Sequence, residues 1–72
     1  MFRYVPFRER LCSDEHKRYT AFGIIIMDDQ NNILLSVSDV FRKYSFAKEV
    51  CCKFTAGQLD PIHFYEVIED YL

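Results

Sequence analysis

The spacing of apolar and polar positions changes once along this chain, near its middle. Before the change the period is two. In FRYVPFRERLC (residues 2–12), Val5, Phe7 and Leu11 fall on one face of an extended segment and Arg8 and Arg10 on the other. Pro6 cannot donate to a strand ladder, so this strand is expected at a sheet edge. CSDEHKR then reads as a polar turn. YTAFGIIIM (residues 19–27) carries the strongest strand signal. It places Thr20, Phe22, Ile24 and Ile26 on one face and Tyr19, Ala21, Gly23, Ile25 and Met27 on the other. Both faces are apolar, which predicts a central strand covered on both sides. DDQNN is a hairpin turn of residues that tolerate left-handed backbone. ILLSVSDV (residues 33–40) alternates cleanly, with Ile33, Leu35 and Val37 inward and Ser36 and Ser38 outward.

After Asp39 the period becomes helical. In SFAKEVCCKFTAG, Phe46, Ala47, Val50, Cys51 and Phe54 share one stripe, Ser45 is placed to cap the helix, and Gly57 is placed as the left-handed residue after its last turn. LDPIHFYEVIEDYL (residues 59–72) restarts a helix with fuller signals. Asp60 is the expected N-cap, Pro61 takes the first helical position, and Leu59 is placed to staple onto Phe64. Phe64, Val67, Ile68, Tyr71 and Leu72 form the inward stripe. The order β-β-β-α-α predicts one small α+β domain over residues 1–72, a three-stranded antiparallel meander with two helices packed on one face.

That architecture leaves one sheet face without a layer. The central strand presents Tyr19, Ala21, Ile25 and Met27 on it, and an apolar patch of this kind marks an association surface. A closed two-fold dimer is the commonest way soluble chains cover such a face, so a homodimer is expected. Gly23 at mid-strand fits a bulge or the close approach of another backbone. The alternative is that the N-terminal segment folds over the same face.

Composition supports this picture. Half of the 72 residues are hydrophobic and 17% are aromatic, enough to fold, yet a core of this size is near the lower limit for independent stability. Three cysteines cannot all pair within one chain, no charged leader precedes an apolar stretch, and the longest apolar run, residues 24–27, is too short to span a bilayer. A cytoplasmic protein with reduced thiols and no membrane association is therefore expected. The net charge of −2 provides no general attraction to nucleic acid. Its distribution is uneven: residues 1–18 hold five basic and three acidic side chains, whereas residues 60–72 hold four acidic groups and no Lys or Arg.

Three constellations offer chemistry. His63, Glu66 and Asp70 share one side of the last helix, a spacing that holds metals in helical bundles, but no second motif supplies the remaining ligands. A solvated face with a His63–Glu66 contact is the simpler reading. Cys12, Cys51 and Cys52 form no C-x-x-C, so zinc-ribbon spacing is absent. Cys51 lies on the inward stripe, Cys52 points sideways, and Cys12, Asp14 and His16 sit in one short turn that cannot hold a nucleophile, an orienting group and a base in line. Arg3, Arg8, Arg10, Lys17 and Arg18 interleave with Phe2, Tyr4, Phe7 and Tyr19, as in sheets that stack single-stranded bases, but Glu9, Asp14 and Glu15 interrupt them. Neither a phosphate-cradling glycine loop nor a G-x-S-x-G elbow occurs. No catalytic, metal-binding or cofactor-binding residue is expected, and no cofactor.

The elements YTAFGI, the strand end VSDV and the closing LDPIHFYEVIEDYL together resemble a family of short Firmicutes proteins known as a domain of unknown function. Its members look like a Y-T-x-Y-G-I strand, a hairpin, an I-x-D-I strand end and a closing L-x-P-x-H-x-x-D-V-I-E-D-F-L. The resemblance covers residues 17–72, with Glu66 where an aspartate is usual and Tyr71 where phenylalanine is usual. It implies the same fold boundaries and a bacterial cytoplasm, and it implies no activity. The functional expectation is a small non-enzymatic protein-interaction module, homodimeric through the face of Tyr19, Ala21, Ile25 and Met27, that offers the acidic Glu66 and Asp70 to a basic protein partner, or Arg8 and Arg10 to an acidic one, the partner itself being unknown. The second reading is a module for single-stranded nucleic acid or a small ligand, built on the basic and aromatic N-terminal strand.

Overall fold

The period-two half of the chain forms one antiparallel sheet in the order β1-β2-β3, with β1 at Arg3–Ser13, β2 at Lys17–Met27 and β3 at Ile33–Phe41. The structure is a computed structural model that describes residues 1–15 and 17–72. Helix α1 spans Tyr44–Ala56, a 3-10 turn covers Pro61–His63, and α2 runs from Phe64 to Glu69. The expected α+β meander with both helices on one face is the fold observed.

The apolar face of β2 explains where the core lies. Phe22, Ile24 and Ile26, with Tyr4 of β1 and Phe41 of β3, are buried against Ala47, Val50, Cys51 and Phe54 of α1 and Phe64 and Ile68 of α2. Aromatic edges lock the layers: the Tyr4 and Phe54 rings meet at 5.4 Å in a T-shaped contact, and Phe54 meets Phe64 at 6.3 Å. The Tyr4 hydroxyl donates to the Leu59 carbonyl at 2.6 Å, which ties β1 to the segment entering α2. Burial, and secondarily the charge of Asp60, pushes that phenol up to about 12.

The turns follow their sequences. Asn31 takes the left-handed position of the β2–β3 hairpin, and the Asp28 carboxylate accepts from the backbone N–H groups of Gln30 and Asn32, both at 2.9 Å. Those bonds hold Asp28 below the usual carboxylate range, the Asn32 backbone being the main cause. Asp60 accepts from Ile62 N–H at 3.1 Å with Pro61 in the first position, as its sequence predicts, but the turn it caps is 3-10 before α2 proper begins.

Five local expectations are corrected. Lys43 is the residue before α1 and makes no side-chain cap, while Ser45 lies inside the helix. Phe41 anchors in the core, so the chain has only Arg42 and Lys43 in which to reverse. Gly57 keeps ordinary helical backbone, and Gln58 takes the left-handed position at φ 51°. The Gln58 side chain is held there by bonds to the Phe2 N–H, the Phe2 carbonyl and the Thr55 carbonyl. Ile33 does not point inward. A register shift at Leu34, between the pairs Ile26–Leu35 and Met27–Ile33, inserts an extra residue and turns Ile33 out to 63% exposure. Phe46 leaves the buried stripe of α1 and is exposed, edge-on to Phe41 at 5.0 Å. Leu72 is likewise exposed, because α2 ends at Glu69.

Candidate interaction surface

Antiparallel register determines what stands on the face opposite the helices. Val5 pairs with Ile25, Phe7 with Gly23, Glu9 with Ala21, and Leu11 with Tyr19, and alternation turns all of these away from the core. The N-terminal segment does not fold across this face; it is the edge strand β1 itself. The surface is half-buried rather than fully open, since Val5, Phe7, Leu11, Tyr19, Ile25 and Met27 are all intermediate in exposure.

Two devices inside the chain account for that partial cover. The Phe7 ring lies over Gly23, where an added Cβ would come within 2.5 Å of the ring and 2.4 Å of the Val37 carbonyl oxygen. Gly23 is therefore required by a close approach, as its mid-strand position predicts. The second device is Glu9. Its carboxylate reaches over Ala21 to β3, accepting from the Ser38 hydroxyl at 2.7 Å and from the Asp39 backbone N–H at 2.9 Å. Ala21 has no exposed surface, so it drops out of the expected interaction patch, which contracts to Tyr19, Ile25 and Met27 with Val5 and Phe7 beside them.

Glu9 holds a bulge. Between the pairs Phe22–Phe41 and Ile24–Val37 the register of β3 slips, and Asp39 adopts φ 55°, a region that Asp tolerates better than most residues. Around it the Tyr19 hydroxyl donates to the Asp39 carboxylate at 2.9 Å, the Arg42 Nε lies 3.7 Å from the other carboxylate oxygen, and the Arg42 guanidinium stacks 4.1 Å from the centre of the Tyr19 ring. The bond to Asp39 is the main reason that the Tyr19 phenol holds its proton above its ordinary range. The acidic side chains in this cluster are engaged by donors of the same chain. It works as a clasp that shapes the rim of the sheet face. Glu9 was legible as an anomaly in the sequence, a carboxylate at an apolar-face position of the Val5, Phe7, Leu11 alternation.

The acidic pair lies elsewhere. Glu66 on α2 and Asp70 just after it are exposed on the helical side of the sheet, so they and the Ile25–Met27 face belong to different surfaces of the molecule. His63 Nδ1 stands 3.9 Å from the Glu66 carboxylate with both side chains well exposed, the solvated contact expected there. Among the described residues no group of three or more His, Cys, Asp or Glu side chains is gathered as metal ligands would be. Cys12 is exposed on β1 opposite Arg18, Cys52 is exposed on α1, and Cys51 is buried, its thiol pushed up to about 12 by burial. His16, the third member of the Cys12–Asp14 constellation, lies outside the described residues.

The basic and aromatic side chains that interleave in the sequence separate in part, Arg3 staying on the face of Phe7 and Tyr19. Phe7 and Tyr19 stand on the open face, whereas Arg8 and Arg10 stand on the other. Unforeseen from sequence is an apolar groove of about 470 Å³ between β1 and α1, bordered by Tyr4, Pro6, Tyr44, Lys48 and Cys52. No helix among the described residues is long and apolar enough to cross a membrane. Comparison with protein-family models, with curated proteins and with solved structures finds no match. The resemblance to the Firmicutes family therefore stands on its quoted motifs alone.

Proposed function

We propose that this chain is a small non-enzymatic protein-interaction module that works as a homodimer and offers the open face of its sheet to a protein partner. One observation carries the reading: a band of half-buried apolar side chains, Val5, Phe7, Tyr19, Ile25 and Met27, lies opposite both helices with no second layer over it among the described residues. The motifs shared with the Firmicutes family, and a cytoplasmic setting with reduced thiols, belong to the same proposal.

Size argues that a single copy is not the working unit. Three strands about 4.8 Å apart and up to about 36 Å long present roughly 500 Å². A standard protein–protein contact takes about 800 Å² from each partner. Self-association supplies the difference.

The test is the solution mass of the reduced protein by size exclusion with light scattering, at two salt concentrations. Apolar association predicts a dimeric mass at both. A monomer at both concentrations removes the homodimeric reading. Single-stranded nucleic acid is the less favoured partner, because alternation places Arg8 and Arg10 on the sheet face opposite Phe7 and Tyr19 and leaves only Arg3 of the β1 arginines on their side. Binding of an oligonucleotide that weakens steeply with salt would reverse that preference.

A further inference from the structure

The two edges of the sheet are treated unequally. Along β1, Tyr4 N–H donates to the Thr55 hydroxyl at 2.9 Å and Phe2 N–H donates to the Gln58 side-chain carbonyl at 2.8 Å, so side chains from the end of α1 satisfy the outer backbone as a neighbouring strand would. Pro6 then removes a donor, and Arg8 and Arg10 place charge on the rest of that edge. These are the usual devices against edge-to-edge pairing.

β3 has register shifts at Leu34 and after Val37, but between them and on either side of them over residues 33–38 it has no proline, no charge and, among the described residues, no side-chain cover of its outer backbone. The stretch ILLSVS carries no charge and no proline, and Ile33 and Leu34 are 63% and 47% exposed. Its outward groups follow from the ladder. Tyr4 bonds to Thr55, so the pair Tyr4–Ile26 is not a hydrogen-bonded one, and Ile24 and Ile26 turn their backbone groups toward Val37 and Leu35. Ser36, between Leu35 and Val37, therefore directs its N–H and C=O away from the sheet. Beside this edge, on the helical side, lies a second apolar groove of about 200 Å³ walled by Val37, Val40, Phe64 and Ile68. Tyr65 and Leu72 stand at its border with 57% and 75% of their surface exposed, and Asp39 and Glu69 are its charged members.

We infer that β3 pairs antiparallel with β3 of a second copy about a two-fold axis at Ser36, making one six-stranded sheet. This deepens the homodimeric reading and rests on it. A second copy fits better than another protein because the stretch is self-complementary. Ser36 meets Ser36 of the second copy and exchanges both backbone bonds, Leu35 meets its Val37, these three residues lie in unbroken register between the two shifts, and no like charges are opposed within the stretch. The two-fold also brings both α2 helices to the same side of the sheet, where Tyr65 and Leu72 of each copy close the paired grooves. On the opposite side the open faces join into one of roughly 1,000 Å², above the roughly 800 Å² a standard partner covers.

The experiment combines solution mass with amide exchange at Ser36. Ser36→Pro removes an outward donor without touching the β2 ladder, and Leu34→Lys sets like charges near the axis; both should give monomers with the wild-type circular dichroism. Ile25→Lys, on the open face, should remain a dimer. In the wild type, Ser36 exchange should slow about tenfold between about 10 µM and about 1 mM protein, the fall in monomer fraction for a roughly micromolar Kd. That exchange measurement needs no variant to fold. If the wild type is a dimer, both edge variants stay dimeric and Ser36 exchange ignores concentration, the edge assignment is overturned while the homodimer stands. If the wild type is a monomer throughout, both fall.

Discussion

Replacing Gly23 with alanine tests the tightest point of the sheet. The added methyl has no room: it would lie 2.4 Å from the Val37 carbonyl oxygen and 2.5 and 2.6 Å from two carbons of the Phe7 ring. The ring stands on a half-buried side chain and can swing away. The carbonyl belongs to the rung that pairs Val37 with Ile24 and cannot move without opening the ladder beside the Asp39 bulge. Overpacking of a close-packed site costs about 1–3 kcal/mol, and a backbone obstacle places Gly23→Ala at the upper end. Chains of this length are stabilised by roughly 4–11 kcal/mol, and each 1 kcal/mol moves the Tm of such a domain by about 4–8 °C. A fall of about 10–20 °C follows, read by thermal unfolding monitored by circular dichroism. Phe7→Ala in the same background separates the two obstacles: it relieves the ring but not the carbonyl, so the double variant should recover only part of the loss. A Gly23→Ala protein melting within about 2 °C of the wild type would refute the reasoning, because the sheet would then be looser at its centre than its register requires.

Three further outcomes follow from individual groups. Tyr4→Phe strands the Leu59 carbonyl and should cost about 1–2 kcal/mol in urea unfolding; since the Tyr4 phenol is raised from 10.0 to about 12 in the folded state, its contribution is complete below pH 10 and lost as pH rises through 12, and the variant should lack that alkaline decline. Native alkylation followed by mass spectrometry should modify Cys12 and Cys52 and spare Cys51, which reacts only once the protein is unfolded; equal labelling of all three would contradict the burial of Cys51. The lowered pKa of Asp28 means that its stabilisation is present above the ordinary value of 3.8 and lost as pH falls through the depressed one, so Asp28→Ala should flatten the acid side of the stability curve while lowering stability at neutral pH.

Most of the layer plan was readable from periodicity. An alternation of two in three segments and a helical stripe in the next two are direct consequences of how a strand and a helix distribute side chains, and they survive folding because each apolar face must be buried. Asp60 and Pro61 were readable for the same reason, being local solutions to a helix start. What failed was whatever depends on a neighbour. Ser45 has the chemistry of a cap, but the anchoring of Phe41 starts α1 earlier; Gly57 has the freedom for a left-handed turn, but Gln58 takes it because Phe2, far away in sequence, supplies the bonds. Ile33 has the right parity, and the extra residue at Leu34 reverses it.

The candidate surface divides along the same line. By itself the sequence determined that one sheet face lacks a layer, that Tyr19, Ile25 and Met27 stand on it, and that Gly23 is a place of close approach, because parity along a strand is set by covalent geometry. Only the tertiary structure decided that Ala21 lies beneath Glu9, and that β1 is sealed by Thr55 and Gln58 while the middle of β3 is bare. Those facts concern pairs of residues distant in the chain. Register and packing bring such pairs together, and no local pattern encodes either one alone.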